Sequence, residues 1–157
     1  MLKQFLGTDG KTLLALEDDV IFADFTRLQD AVAELPEDWD VLYLGANITD
    51  MVSGMKENPP VRYSKHLHRV RRAWMTHAVG YSRKAVESIV GAYPIETYEM
   101  YDNWLSEKFL PHNNCFLVNP MVAWQRPGKS DLWGCMTDYS GAFAEGNKIM
   151  QNEKISF

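Results

Sequence analysis

Apolar residues in the first third of the chain form two short continuous runs separated by a run with helical spacing. The first run, Thr12–Leu16, is apolar at nearly every position and predicts a strand buried on both faces, as in a parallel sheet. Residues 22–35 carry apolar side chains three and four positions apart, which predicts an amphipathic helix that ends at Pro36. Residues 40–45 form the second run, an apolar strand closed by glycine. Strand, helix and strand in this order predict a βαβ unit with a right-handed crossover.

The middle of the chain continues the alternation of strands and helices. Residues 76–81 are mostly apolar and predict a third buried strand. Ser82 is suited to cap a helix over 83–92, which Pro94 stops. A further helix is expected over 100–109. The alternation predicts the α/β class.

The last third of the chain has weaker signals. We expect a short strand at Cys115–Val118 and extended chain over 120–124. Beyond that point the sequence is polar and contains glycine, and no core-forming element is expected there. We therefore expect a single domain over 1–157 in which residues 134–157 are a tail.

Two stretches between these elements have an open interpretation. Residues 46–60 contain glycine and two prolines and predict a long loop. The stretch after it is basic, and its cations either form a solvated face or offer charge to a diphosphate or an anionic acceptor: Arg62, Lys65, Arg69, Arg71 and Arg72. Histidines and tryptophans are also candidates for binding, but for each the commoner role is in the core or at the surface: His66, His68, His77, Trp74, Trp104, Trp124 and Trp133.

Composition narrows the class of protein. The chain has 157 residues, of which 46% are hydrophobic and 24% charged, which suits one globular domain. A net charge of −5 argues against nucleic acid or an anionic membrane as the main partner. No apolar run is long enough to span a bilayer, and the first residues lack a signal-peptide core. Cys115 and Cys135 have neither disulfide nor metal-binding spacing, so we expect ordinary buried thiols and a cytoplasmic location.

Three consecutive acids are the sharpest chemical feature. Glu17, Asp18 and Asp19 directly follow the first predicted strand, where like charges are costly unless a cation is present. Residues i and i+2 of an extended chain point the same way, so Glu17 and Asp19 are able to share a target. Carboxylate oxygens suit Mg²⁺ or Mn²⁺, which in turn suit a diphosphate. The alternative is that the acids only favour the start of the next helix through its dipole.

Further segments set this triplet in a longer pattern. The triplet is followed by the amphipathic helix and then by residues 35–45, which read LPEDWDVLYLG. Three later segments follow in order, at 74–85, 101–105 and 120–132, the last with Gln125 and the pair Ser130-Asp131. Together these segments resemble glycosyltransferase family 25, which contains bacterial lipooligosaccharide galactosyltransferases and the collagen galactosyltransferases.

This resemblance implies a GT-A-like, Rossmann-type mixed sheet flanked by helices. It also implies metal-dependent transfer of a hexose, galactose in those relatives, from a UDP-sugar to a saccharide acceptor, as in lipooligosaccharide synthesis. Carried over to this chain, Glu17, Asp18 and Asp19 bind the donor's diphosphate through Mn²⁺ or Mg²⁺, with Glu17 and Asp19 as metal ligands. Inverting transfer needs a base for the acceptor hydroxyl, and Asp102 is the first candidate and Glu99 the second. The alternative for Asp102 is that it caps or solvates its helix.

The chain departs from the family in one respect. Members of the family carry a longer N-terminal part before the acidic motif, whereas only residues 1–16 precede Glu17 here. We therefore expect the N-terminal nucleotide-binding portion to be missing, which leaves a sheet edge exposed. A homodimer or a partner chain that covers this edge is expected.

Three functions remain open from the sequence. The first is the glycosyltransferase. The second is a non-catalytic remnant of that fold, acting as a binding or interaction module. The third is another metal–phosphate enzyme, such as a phosphohydrolase that uses the acidic triplet.

Overall fold

The computed structural model of the chain describes residues 1–94, 96, 99–130 and 134–151. The helices are α1 (Leu2–Leu6), α2 (Phe25–Ala33), α3 (Arg83–Ala92), α4 (Tyr101–Trp104) and α5 (Ser140–Gln151). A π-helical turn, Leu105–Phe109, and a 3₁₀ turn, Leu110–His112, continue from α4. The strands are β1 (Thr12–Leu16), β2 (Val20–Phe22), β3 (Val41–Tyr43), β4 (Val61–Arg62), β5 (Leu67–Arg69), β6 (Ala78–Ser82), β7 (Cys115–Val118), β8 (Ala123–Gln125), β9 (Gly128–Lys129) and β10 (Met136–Thr137).

Six strands form one mixed sheet in the order β1-β6-β3-β7-β5-β4. Within it, β3 and β7 pair in parallel, and the other neighbours pair antiparallel. Two small two-stranded sheets, β2 with β8 and β9 with β10, accompany it. The predicted α/β class with a mixed sheet and helices is confirmed.

Side chains of the main sheet alternate between two hydrophobic clusters, one on each face. Val41 and Tyr43 belong to the larger cluster, which includes buried residues of α1, α3, α5 and the helical segment after α4. Leu42 and Leu44 belong to the smaller cluster, together with Ala31 of α2. The sheet is therefore flanked by helices on both faces. Helix α2, which lies within the amphipathic stretch predicted over residues 22–35, packs its apolar side on the smaller cluster.

Several predicted elements are confirmed. Strand β6 and strand β7 are buried as expected. Ser82 caps α3 by accepting a hydrogen bond from the Ala85 amide at 3.2 Å. The stretch 100–109 is helical, and the predicted loop 46–60 contains neither helix nor strand.

The first strand forms as predicted, but its predicted burial on both faces within a parallel sheet is wrong. Strand β1 lies at the edge of the sheet and pairs antiparallel with β6, so it is not a central parallel strand. Leu14 and Leu16 are about half exposed, at 49% and 48%. A continuous apolar run does not distinguish a strand buried on both faces from an edge strand with an apolar outer face. Strands β1 and β3 run in the same direction, but β6 lies between them.

The prediction of a tail is also wrong for residues 140–151. Residues 140–151 form α5, and Phe143, Gly146 and Met150 are buried. Asn147 of this helix accepts a hydrogen bond from the Met121 amide at 2.8 Å, which attaches α5 to the chain just before β8. The apolar residues of this helix are too widely spaced among polar ones to give a clear signal in the sequence.

The cysteines differ in their surroundings. Cys115 is buried in β7, as expected, whereas Cys135 is exposed.

Among the described residues, no helix is long and apolar enough to cross a membrane.

Candidate functional site

The acidic triplet forms the tight connection between β1 and β2 rather than the start of a helix. The Glu17 amide donates to the carbonyl of His77 at 2.8 Å, which continues the pairing of β1 with the chain before β6. The Arg126 amide donates to the carbonyl of Asp19 at 2.9 Å, which continues the pairing of β2 with β8. The turn is therefore fixed at both ends by neighbouring strands.

A single amide group lies between two of the three carboxylates. The Gln125 side chain donates from Nε2 to Glu17 Oε2 at 2.9 Å and to Asp19 Oδ2 at 3.4 Å. It reaches both because β8 pairs antiparallel with β2, with Gln125 opposite Val20. Glu17 and Asp19 thus converge on one point, and an amide supplies a partial positive charge there.

This amide does not neutralise the two carboxylates. Partial burial raises the pKa of Glu17 above its ordinary value, and the charge of Asp19 raises it further. Thr76, 3.5 Å from Glu17 Oε1, opposes the shift, whereas Asp102 and Asp18 add to it. Asp19 Oδ1 is buried and has no hydrogen-bond partner in the described part of the chain. The site therefore favours a cation electrostatically.

The carboxylates open into a cleft of about 950 Å³. Asp102, at the start of α4, also lines this cleft and accepts a hydrogen bond from the Asn103 amide at 2.8 Å. Glu99 does not line the cleft, and its carbonyl accepts a hydrogen bond from the Tyr93 hydroxyl at 2.7 Å. The structure thus brings the acidic triplet and Asp102 to one cavity and leaves Glu99 outside it.

Two cations that were not predicted from the sequence complete the cleft, together with Trp74, one of the predicted aromatic candidates. Arg126 and Lys129 place two cations among its lining residues, and Trp74 provides an aromatic surface. Arg126 directly follows β8 and Lys129 lies in β9, both in the stretch expected to have no core-forming element. In the sequence, only their position shortly after Gln125 marked them. Their place in the cleft depends on the pairing of β8 with β2, which is a contact between distant parts of the chain.

Backbone strain marks the wall that carries Trp74. Met75 has a φ of 76°, a left-handed conformation that non-glycine residues rarely adopt. Trp74, the residue before Met75, is fixed through its backbone. Its amide donates to the carbonyl of Asn47 at 2.9 Å, and its carbonyl accepts from the Asn47 amide at 3.0 Å. This turn of the chain leads directly to Thr76, the residue that faces Glu17.

A close backbone approach fixes the position of β8, the strand that carries Gln125. A Cβ built at Gly45 would lie 1.8 Å from the carbonyl oxygen of Ala123, so only glycine allows the end of β3 to approach β8. Buried His77 lies against the same carbonyl, with Nε2 at 3.4 Å, and its ring packs against Phe143 of α5. Burial lowers the pKa of His77, so the imidazole is neutral near pH 7.

The basic stretch lies elsewhere and bonds to the protein itself. Arg71 donates to the carbonyl of Pro111 at 2.7 Å, Arg72 donates to that of Ser106 at 3.3 Å, and Arg69 contacts the Asn114 side chain. None of the five cations named in the sequence lines the cleft. The basic stretch therefore adds no charge to this cleft, and its contact with a diphosphate or an anionic acceptor elsewhere stays a prediction.

The remaining candidates have mostly structural positions. His68 is buried, and His66 contacts Glu34 through Nδ1 at 2.7 Å. Trp104 is buried, and Trp124 packs partly buried against the larger cluster. Asp131 and Trp133 lie outside the described residues.

The carboxylates of the cleft suit a cation that is shared with a bound phosphate rather than one held by the protein alone. Among the described residues, no group of three histidine, cysteine or acidic side chains is arranged to hold a metal ion. Mg²⁺ and similar cations, however, commonly bind one or two carboxylates and take further oxygens from substrate phosphates. Glu17 and Asp19 meet that requirement, and the unpartnered Asp19 Oδ1 offers a free buried ligand atom. The residues present fit a cation shared with a diphosphate, and the metal assignment stays a prediction.

No protein-family model, curated protein or solved structure matches this chain.

Proposed function

We propose that the chain is a metal-dependent glycosyltransferase of GT-A-like fold that transfers a hexose from a UDP-sugar to a saccharide acceptor. The observation that carries the proposal is the convergence of Glu17 and Asp19 within reach of one amide nitrogen, in a cleft that also holds Asp102, Arg126 and Lys129. The resemblance of the acidic and later segments to family 25 supports the same conclusion. Galactose is the donor sugar that this resemblance favours.

The donor diphosphate is assigned to the acidic end of the cleft. Glu17 and Asp19 would hold Mn²⁺ or Mg²⁺, which stabilises negative charge on the departing diphosphate. Arg126 and Lys129 are the described cations of the cleft lining, and they offer charge-assisted hydrogen bonds to the same phosphate oxygens. Asp18 adds negative charge at this end and helps to hold the cation.

The acceptor is assigned to the wall formed by Trp74 and Asp102. An indole face packs well against the apolar face of a hexose ring, and Trp74 is only partly buried. The acceptor hydroxyl oxygen forms a bond to the anomeric carbon while the bond from that carbon to the diphosphate oxygen breaks. The bonding pair leaves with the diphosphate, and Asp102 takes the hydroxyl proton as general base.

Two observations favour transfer over phosphate hydrolysis. A cleft of about 950 Å³ is large enough for a nucleotide sugar together with part of an acceptor. Its lining combines aromatic and thioether side chains, Trp74, Met51 and Met100, with the charged groups, and such apolar surface suits sugar rings better than a phosphate alone.

Turnover with defined variants tests the proposal. The chain is incubated with UDP-galactose, Mn²⁺ and a panel of saccharides, and release of UDP is measured. We expect UDP release that Asp102→Asn lowers by a factor of about 10² or more, the range for loss of a general base. Asp9→Asn is the matched control, because it makes the same change at an exposed position before β1 and should leave turnover unchanged.

The other outcomes discriminate among the functions. Binding of UDP without turnover for any saccharide would contradict the enzyme and favour the binding module. Equal release of phosphate from simple phosphate esters would favour a phosphohydrolase.

A further inference from the structure

The outer edge of β1 carries free backbone groups. Strand β1 is the terminal strand of the six-stranded sheet, and in the described part of the chain no strand pairs with its outer edge. The Glu17 amide bonds to His77 and the Arg83 amide bonds to Lys11. Because hydrogen-bonded pairs alternate along an antiparallel ladder, the odd-numbered residues of β1 face β6. The amide and carbonyl groups of Thr12, Leu14 and Leu16 therefore point outward.

An apolar surface adjoins this free edge. Leu14 is 49% exposed and lies on the wall of a groove of about 350 Å³ between β1 and α2. Gly80 lies between Leu14 and Leu42 in the register of the sheet and leaves the floor of the groove without a side chain. Val32 of α2, 51% exposed, forms part of the opposite wall. Exposed leucine side chains next to unpaired backbone groups are typical of an association site.

The sequence of the edge is complementary to itself in one register. If two β1 strands pair antiparallel about Leu14, Thr12 of each copy lies opposite Leu16 of the other. Lys11 then lies opposite Glu17 of the other copy at each end, which pairs opposite charges. A shift of the centre to residue 13 would instead place Asp9 opposite Glu17, which is repulsive. The centre at Leu14 is also the register that pairs all five residues of β1, so charge and strand length together select a second copy of this chain centred on Leu14.

We propose that the chain forms a two-fold symmetric dimer through antiparallel pairing of β1 with β1 of a second copy, centred on Leu14. The pairing joins two six-stranded sheets into one and satisfies the outward backbone groups of both strands. It also brings Leu14 and the groove beside it against the same surface of the other copy. The proposal uses the charge of Glu17 but requires neither a metal ion nor a nucleotide sugar in the cleft.

Cysteine cross-linking tests the register directly. In a Cys135→Ser background, Leu14→Cys places two thiols at directly opposed positions with Cα atoms about 5.5 Å apart, within the range that a disulfide spans. Leu16→Cys is the matched control, since it is equally exposed on the same strand but the register separates its two copies by about 14 Å. We expect mild oxidation to give a disulfide dimer for Leu14→Cys and to leave Leu16→Cys uncross-linked.

Sedimentation measures association without a covalent bond. Leu14→Lys places like charges opposite each other across the two-fold axis, and we expect it to raise the dissociation constant of the dimer roughly tenfold or more. Val61→Lys makes the same type of change at an exposed position on β4, the opposite edge of the sheet, and should leave association unchanged. A wild-type monomer at micromolar concentration would overturn the proposal, as would preferential cross-linking of Leu16→Cys or equal effects of the two lysine variants.

Discussion

Gln125 Nε2 lies 2.9 Å from Glu17 Oε2, and this contact joins residues 108 positions apart in the chain. It brings the turn after β1 against the end of β8 and positions the Glu17 carboxylate beside that of Asp19. Partial burial and the neighbouring charge of Asp19 raise the pKa of Glu17, although the Gln125 amide donates to it. The acidic pair is therefore electrostatically unfavourable in the protein alone and is expected to be relieved by a bound cation.

Glu17→Gln is expected to stabilise the protein at pH 7. Because the folded-state pKa of Glu17 is raised, the wild type loses stability as pH rises from the unfolded value of about 4.5 through the folded value. The amide has no charge to lose, so the variant should melt on the order of 1–3 °C higher at pH 7. Melting temperatures measured from pH 4 to pH 8 check this. The difference should vanish towards pH 4, and Glu57→Gln, an exposed control, should show no such trend. A variant less stable than wild type at pH 7 would contradict the electrostatic account.

Glu34→Gln is expected to have the opposite pH dependence. Burial alone would raise the pKa of Glu34, but hydrogen bonds from Ser64 and His66 outweigh it and lower the pKa below its ordinary value. Stability from this carboxylate is present above the unfolded pKa and is lost as pH falls through the folded pKa. The variant should therefore be less stable than wild type at pH 6 and equally stable near pH 3, as measured by urea unfolding. A constant difference over that range would show that packing rather than ionisation is responsible.

Gly45→Ala is expected to destabilise the protein and disturb the cleft. The new Cβ would lie 1.8 Å from the Ala123 carbonyl oxygen, so β8 and Gln125 must move. We expect a loss of about 1–3 kcal/mol in the free energy of unfolding, as for other overpacked sites. Gly91→Ala in α3 is the control, because its added Cβ would meet no atom within 4 Å beyond its chain neighbours and the backbone of its own helix, and the change should stabilise by up to about 1 kcal/mol. Wild-type stability for Gly45→Ala would show that β3 and β8 do not approach as closely as described.

Local signals in the sequence accounted for most of the elements. Ser82 and Pro94 marked the limits of α3 because caps and helix breakers act on the residues next to them. The apolar run of β7 was identified because every residue of a central strand is buried. The edge position of β1 was not predictable, since exposed Leu14 resembles a core residue in sequence.

The candidate site was only partly predictable for a related reason. The three acids stood out because consecutive like charges after an apolar strand are costly. Arg126 and Lys129 did not, since their place in the cleft depends on β8 pairing with β2, a contact between distant parts of the chain. Asp102 was identified as a candidate through a family resemblance, and its position in the same cleft as the triplet is a tertiary relationship that no local pattern encodes.

Binding of Mn²⁺ followed by electron paramagnetic resonance tests the central claim most directly, because the signal of free aqueous Mn²⁺ is lost when the ion binds. The account predicts that wild-type protein reduces this signal in the presence of UDP, and that Asp19→Asn and Glu17→Gln each weaken Mn²⁺ binding about tenfold or more, the cost of losing one of two charged ligands. Asp9→Asn, remote from the cleft, should bind as the wild type does. Equal Mn²⁺ binding by wild type and Asp19→Asn, or no binding by the wild type with UDP present, would contradict the assignment of Glu17 and Asp19 as a metal–diphosphate site.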